Sequence, residues 1–276
     1  MRADARLLFL IATLLLMAGC IHVRDPLHAW LQTGRSDRYR TPTQGEASVL
    51  AAAFAQGLRG GDMPGWVELE HETGDWDGQH AIREVAPRSR GWGVYVFRTG
   101  AARALIVQAP HAESDRGSGE IALALYRATN ARALALNSAH RSLDDADQAN
   151  VDGAPFALLG REAARPDVDA LVVQVHGYGR QTAQRHGLGA SDVVISNGTR
   201  VPDPALHALA ACLVRAQFDA RLFPTQASYP GGTRNAVRAA MEGVGAGRFV
   251  HLELGAALRD VLMQDPTRLD AFAACL

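Results

Sequence analysis

Ala170-Leu171-Val172-Val173-Gln174-Val175-His176-Gly177 is the stretch that decides the fold. Its apolar run is nearly continuous, the pattern of a strand buried on both faces of a sheet rather than on one. Outward from it, Ala104–Gln108, Ala131–Leu136, Asp192–Ser196 and Phe249–Glu253 read as further short strands, and Gly93–Arg98 as another. Between them, Ser118–Thr129, Ala205–Gln217 and Ala256–Met263 carry apolar residues at helical spacing, as does Ser48–Leu58 upstream. Ser118 offers an N-cap with Glu120 in the first turn. Trp66–Leu69 reads as a strand and Asp144–Gly153, acidic and turn-rich, as a loop. Strands alternating with helices predict a three-layer α/β/α domain around a central mixed, largely parallel sheet.

The N-terminus reads differently. Arg2 and Arg6 precede an apolar run from Leu7 to Met17, which is short for a bilayer span. Leu16-Met17-Ala18-Gly19-Cys20 follows and resembles the bacterial lipobox, in which the cysteine is lipidated and becomes the mature N-terminus. The expected organisation is a signal peptide over residues 1–19, a polar tether over 20–43 and one domain over 44–276. Ile21 is not the aspartate that often retains lipoproteins at the inner membrane, so the outer membrane, facing the periplasm, is favoured.

Net charge is −1, with no lysine, so nucleic acid is not an expected partner. Cys212 and Cys275 would be free to pair in an oxidising compartment; two buried thiols are the alternative.

Three segments deliver metal-capable groups at the C-terminal ends of apolar strands, where sites form in open α/β sheets. In Ala109-Pro110-His111-Ala112-Glu113-Ser114-Asp115 a histidine emerges with two acids behind it. In Val175-His176-Gly177 a lone histidine ends a buried strand. In Val250-His251-Leu252-Glu253 a carboxylate sits on an otherwise apolar strand, costly to bury without a partner. Each has a structural explanation alone; an ordered set of three points to a site. Zinc accepts imidazole nitrogen and carboxylate oxygen, and a catalytic zinc takes three such ligands.

These motifs resemble the zinc carboxypeptidase-like hydrolases, a group that includes N-formylglutamate amidohydrolase, succinylglutamate desuccinylase and phage poly-γ-glutamate hydrolase. Ala109-Pro110-His111 with its acid, then Gly117-Ser118-Gly119-Glu120, is similar to a first zinc motif, Val175-His176-Gly177 to the second zinc histidine, and Val250–Glu253 with Arg259 to the catalytic-glutamate strand. The resemblance implies zinc on His111, Asp115 and His176, with Glu253 as general base, and hydrolysis of an amide bond in a small molecule or peptide. The carboxypeptidase pattern puts its glutamate three residues after the histidine, where this chain has Ser114. Asp115 is the preferred ligand in its place, with Glu113 open. Arg141 is the candidate clamp for a substrate carboxylate, bidentate through its guanidinium; pairing with Asp144 or Asp145 is the alternative. Asn150, Tyr178, Arg234 and Asn235 are further candidate liners. A non-catalytic envelope lipoprotein that uses the cleft to bind a ligand is the main alternative. A serine hydrolase is disfavoured, because Asp115-Arg116-Gly117-Ser118-Gly119 lacks the first glycine of a nucleophile elbow.

Overall fold

The computed structural model describes residues 26–60, 71–75, 79–84, 88–190, 192–245 and 247–276. The expected signal segment, the expected lipidation site Cys20 and the expected strand Trp66–Leu69 lie outside them.

Among the described residues, nine strands form one sheet: β1 (His71–Asp75), β2 (Gln79–Glu84), β3 (Val94–Arg98), β4 (Arg103–Ala109), β5 (Ala131–Leu136), β6 (Leu171–Tyr178), β7 (Asp192–Ser196), β8 (Asp219–Leu222) and β9 (Arg248–Gly255). Their order is β1-β2-β3-β5-β4-β6-β9-β7-β8. The centre, β5-β4-β6-β9, is parallel. An antiparallel meander, β1-β2-β3, is added beside β5, and β7 joins β9 antiparallel with β8 parallel to it. The sheet is thus mixed, and parallel where the site forms.

Helices cover both faces, as a sheet buried on two sides requires. On one face, α1 (Pro26–Thr33), α3 (Ser118–Ala128), α6 (Pro204–Arg215), α8 (Ala256–Gln264) and α9 (Pro266–Ala273) pack on Val107, Val173, Val175, Leu252 and Leu254. On the other, α2 (Gln44–Leu58), α4 (Pro155–Ala163) and α7 (Ala236–Glu242) pack on Ile106, Val172 and Phe249. A short α5 (Arg180–His186) follows β6. Side chains alternate between faces along a strand. Leu105, Val107 and Ala109 therefore face one core, and Ile106 and Gln108 the other side. Among the described residues no helix is long and apolar enough to cross a membrane.

Two expectations change at the N-terminal side. The stretch 26–43, expected as a tether, is packed from its first described residues. Leu27, Trp30 and Leu31 of α1 are buried in the larger core, and Ser36 bridges to Ala139. Three apolar residues at helical spacing hold α1 down, and each buried side chain of that size is worth roughly 1.5–3 kcal/mol. The domain body therefore begins upstream of Thr43. Helix α2, in turn, starts before Ser48 because its first turn is polar and anchored by a capping box: the Thr43 hydroxyl accepts from the Glu46 N–H, and the Glu46 carboxylate accepts from the Thr43 N–H.

Cys212 on α6 and Cys275 after α9 are joined by a disulfide that closes a separation of 63 residues. Of the two alternatives for these cysteines, the paired one is realised.

Candidate metal centre

The strand ends of β4, β6 and β9 stand side by side, and the parallel register sets what meets there. Gln174 lies opposite His251 and His176 opposite Glu253. His176, His251 and Glu253 point to the same face as Gln108 and Gln174, because all are on the alternate positions that leave Val175 and Leu252 in the other core.

His111 follows β4. From it the chain makes a single helical turn: the N–H groups of Ser114 and Asp115 both donate to the His111 carbonyl, at 2.9 and 2.8 Å. That turn selects the ligand among the acids. Positions i and i+4 share a helical face, so Asp115 is brought under His111. Glu113 points away and pairs with Arg35 at 2.6 Å. Ser114, where the carboxypeptidase pattern has its glutamate, accepts a hydrogen bond from the Arg141 backbone N–H at 3.1 Å.

His111 Nδ1, His176 Nδ1 and Asp115 Oδ2 converge. The nitrogens are 3.0 Å apart, and the carboxylate oxygen is 3.4 and 3.8 Å from them. Ligands of a tetrahedral zinc lie roughly 3.3 Å from each other if the bonds are 2.0–2.1 Å. Both outer imidazole nitrogens are already committed: His111 Nε2 donates to Asp147 Oδ1 at 2.7 Å, and His176 Nε2 donates to Gln174 Oε1 at 3.2 Å. A neutral imidazole with its proton on Nε2 has a bare lone pair on Nδ1. Two such lone pairs and a carboxylate oxygen directed at one point make a donor set that fits a zinc ion. Carboxylate or amide partners on the far nitrogens are also how zinc-binding histidines are oriented. A second group, His176, His251 and Glu253, overlaps the first through His176. With His176 Nε2 engaged by Gln174, only its Nδ1 is open, and that atom faces His111 and Asp115.

Charge is arranged unevenly. Burial works to lower the pKa of His111, but hydrogen bonds and charge from Asp115 and Asp147 outweigh it and the net shift is upward. Burial, aided by His251, His111 and Arg141, drives His176 well below the usual histidine value. Burial likewise takes His251 down to about 3. Asp147 resists its own desolvation through His111 and sits at about 2. Glu253 moves the other way, up to about 8, first by burial and then by the nearby Asp115 carboxylate.

Above these groups opens a cleft of about 270 Å³, walled by Arg141, Asp147, Arg200, Tyr229, Arg234 and Asn235. Gly232 carries φ +59, and a Cβ there would lie 2.9 Å from the His251 ring, so the 228–235 loop can close on that ring only with glycine at this position. Arg141 is 45 % exposed and reaches the centre: its guanidinium is 3.3 Å from His111 Nδ1, 3.6 Å from Asp147 and 3.9 Å from Asp115. It is not paired with Asp144 or Asp145, as the alternative had it. Asn150 lines the cleft and donates to Asp147. Tyr178 does not join it; its hydroxyl donates to the Gly189 carbonyl at 2.8 Å, beside that of Asp192.

No protein-family model matches this chain, and no curated protein sequence matches it. Among solved structures it is similar to a bacteriophage poly-γ-glutamate hydrolase, at 16 % identity over 68 % of this chain and 88 % of that one, with a TM-score of 0.45. It is similar to zinc-free YndL, at 16 % identity over 66 % of this chain and 85 % of that one, TM-score 0.44. It is also similar to an N-formylglutamate amidohydrolase from Ralstonia eutropha, at 11 % identity over 66 % of this chain and 96 % of that one, TM-score 0.43.

Proposed function

We propose that the chain is a zinc-dependent hydrolase of amide bonds, held in the cell envelope by a lipid on Cys20. The convergence of His111 Nδ1, His176 Nδ1 and Asp115 Oδ2 within 3.0–3.8 Å, with Glu253 beside them in register, carries this reading. These three residues would hold the ion. A zinc ion held there supplies Lewis-acid polarisation of an amide carbonyl and acidifies water.

The rest is the work of the chain's own groups. Glu253, 13 % exposed and with a raised proton affinity, takes a proton from the attacking water and passes it to the leaving nitrogen. Arg141 faces the cleft and orients a substrate carboxylate by charge-assisted hydrogen bonds. Asp147 holds the His111 ring. The low-dielectric pocket strengthens each of these interactions. The substrate class is a peptide, an N-acyl amino acid or a cell-wall fragment.

The Cys212–Cys275 disulfide supports the envelope placement, because such bonds persist in oxidising compartments. The lipobox-like Leu16–Cys20 supports the anchor and favours the outer membrane, facing the periplasm. Hydrolysis of an acidic N-acyl amino acid or peptide, abolished by a chelator and restored by zinc, tests the activity. Activity that survives complete chelation overturns it. Radiolabelled palmitate incorporation, lost in Cys20→Ser, tests the anchor.

A further inference from the structure

We propose that Asn235 sets the tautomer of His176 through Gln174, so that the N-cap of α7 determines whether the second histidine can bind a metal. Asn235 is the N-cap of α7, and its Oδ1 accepts from the N–H groups of Val237 and Arg238 at 3.0 and 3.2 Å. A backbone N–H can only donate, so this amide has one possible orientation. Its Nδ2 is directed the other way, into the sheet, and donates to Gln174 Oε1 at 2.7 Å.

That contact fixes the second amide. Gln174 Oε1 accepts from both Asn235 and His176, while its Nε2 donates to Gln108 Oε1 at 2.8 Å. Turning Gln174 over would set its NH2 against that of Asn235, whose own orientation the helix cap fixes. Gln174 is fully buried, so water does not replace a partner it loses, and that clash costs on the order of 1–3 kcal/mol. With Gln174 Oε1 held towards His176, the imidazole must carry its proton on Nε2. Its Nδ1 lone pair is then directed at His111 and Asp115. Polarity thus runs in one direction from helix cap to metal ligand, and Asn235 and Gln174 are positioning residues that act on the ion only through His176.

The affinity part of this proposal rests on the zinc reading above; the tautomer part does not. Asn235→Asp separates cap from donor, because a carboxylate caps a helix as well as an amide does but cannot donate to Gln174. In the metal-free chain, long-range 1H–15N NMR of the His176 ring should show Nε2–H in the native protein and a shift to Nδ1–H in the variant. Its zinc dissociation constant, by competition with a chelator, should rise roughly 10- to 100-fold, as for loss of an outer partner of a metal ligand, with an unchanged melting temperature. Gln174→Leu removes the acceptor while α7 keeps its cap, and should give the same two changes if Asn235→Asp does not fold. Gln174→Glu can only accept, so it should keep Nε2–H and native-like zinc affinity. Nε2–H retained in both Asn235→Asp and Gln174→Leu, or a zinc loss in Gln174→Glu equal to theirs, overturns the proposal. A native chain that shows Nε2–H yet binds no zinc removes the functional reading and leaves the relay standing.

Discussion

His176 and Glu253 are register partners across the parallel pair β6 and β9, and both stand on the sheet face that carries Gln108 and Gln174. A strand pairing, rather than a loop, therefore sets the spacing between a metal-capable imidazole and the carboxylate proposed as base. Sites on regular elements hold geometry more tightly than sites on loops. Glu253→Gln keeps shape and hydrogen bonding but cannot take a proton. The expected outcome is native zinc content with turnover lowered roughly 10²- to 10⁴-fold, the range for loss of a general base. Steady-state kinetics on zinc-loaded protein would check it, and undiminished turnover would remove Glu253 from the mechanism.

Asp147 holds His111 from the far nitrogen at 2.7 Å. Asp147→Ala should weaken zinc binding roughly 10- to 100-fold without unfolding the chain. Chelator competition measures the first and a melting curve the second. The carboxylate also forms an ion pair with Arg141, so the variant should free that guanidinium and change the KM for acidic substrates as well.

The disulfide ties α6 to the C-terminal helix across 63 residues. Loop-closure entropy for that length amounts to about 4 kcal/mol at room temperature. Cys212→Ser with Cys275→Ser should lower the melting temperature by about 10 °C. Reducing agent should do the same to the native chain and nothing further to the double variant.

Glu46 reports on the start of α2. The Arg40 guanidinium, aided against burial by the Thr43 N–H and hydroxyl, pulls its carboxyl down to about 2 from 4.5. A depressed folded-state value contributes stability above pH 4.5 that is lost as pH falls towards 2. Urea midpoints of native chain and Glu46→Gln should therefore differ most above pH 4.5 and converge as pH approaches 2. A difference that does not change with pH would assign the effect to shape instead of charge.

Much of the fold was legible because apolar runs mark buried strands. β4, β5, β6, β7 and β9 fall within a few residues of their expected spans. Part of what escaped lacks that mark. β2, Gln-His-Ala-Ile-Arg-Glu, is mostly polar and lies within the antiparallel meander, and α5, Arg-Gln-Thr-Ala-Gln-Arg-His, has no apolar stripe. α1 has its apolar stripe, Leu27, Trp30 and Leu31, but lies in a segment dominated by polar residues and arginines. Within the site, His111 and Asp115 were legible from their place just after an apolar strand, and His176 and Glu253 from theirs near the C-terminal ends of two others. Asp147 was not, because Asp144, Asp145 and Asp152 stand around it in the same turn-rich loop and no spacing separates them. What brings Asp115, and not Glu113, under His111 is a helical turn that the sequence did not announce. Gln174 and Asn235 could not be read as partners, since 61 residues separate them.

Zinc content tests the central claim most directly. The native chain, His111→Ala, Asp115→Ala and His176→Ala would be purified without chelator, dialysed against zinc and measured by inductively coupled plasma mass spectrometry, with circular dichroism to verify folding. One zinc per folded native chain, and none in His176→Ala, is the expected result. Full zinc occupancy in folded His176→Ala, or no zinc in the folded native chain, would contradict it.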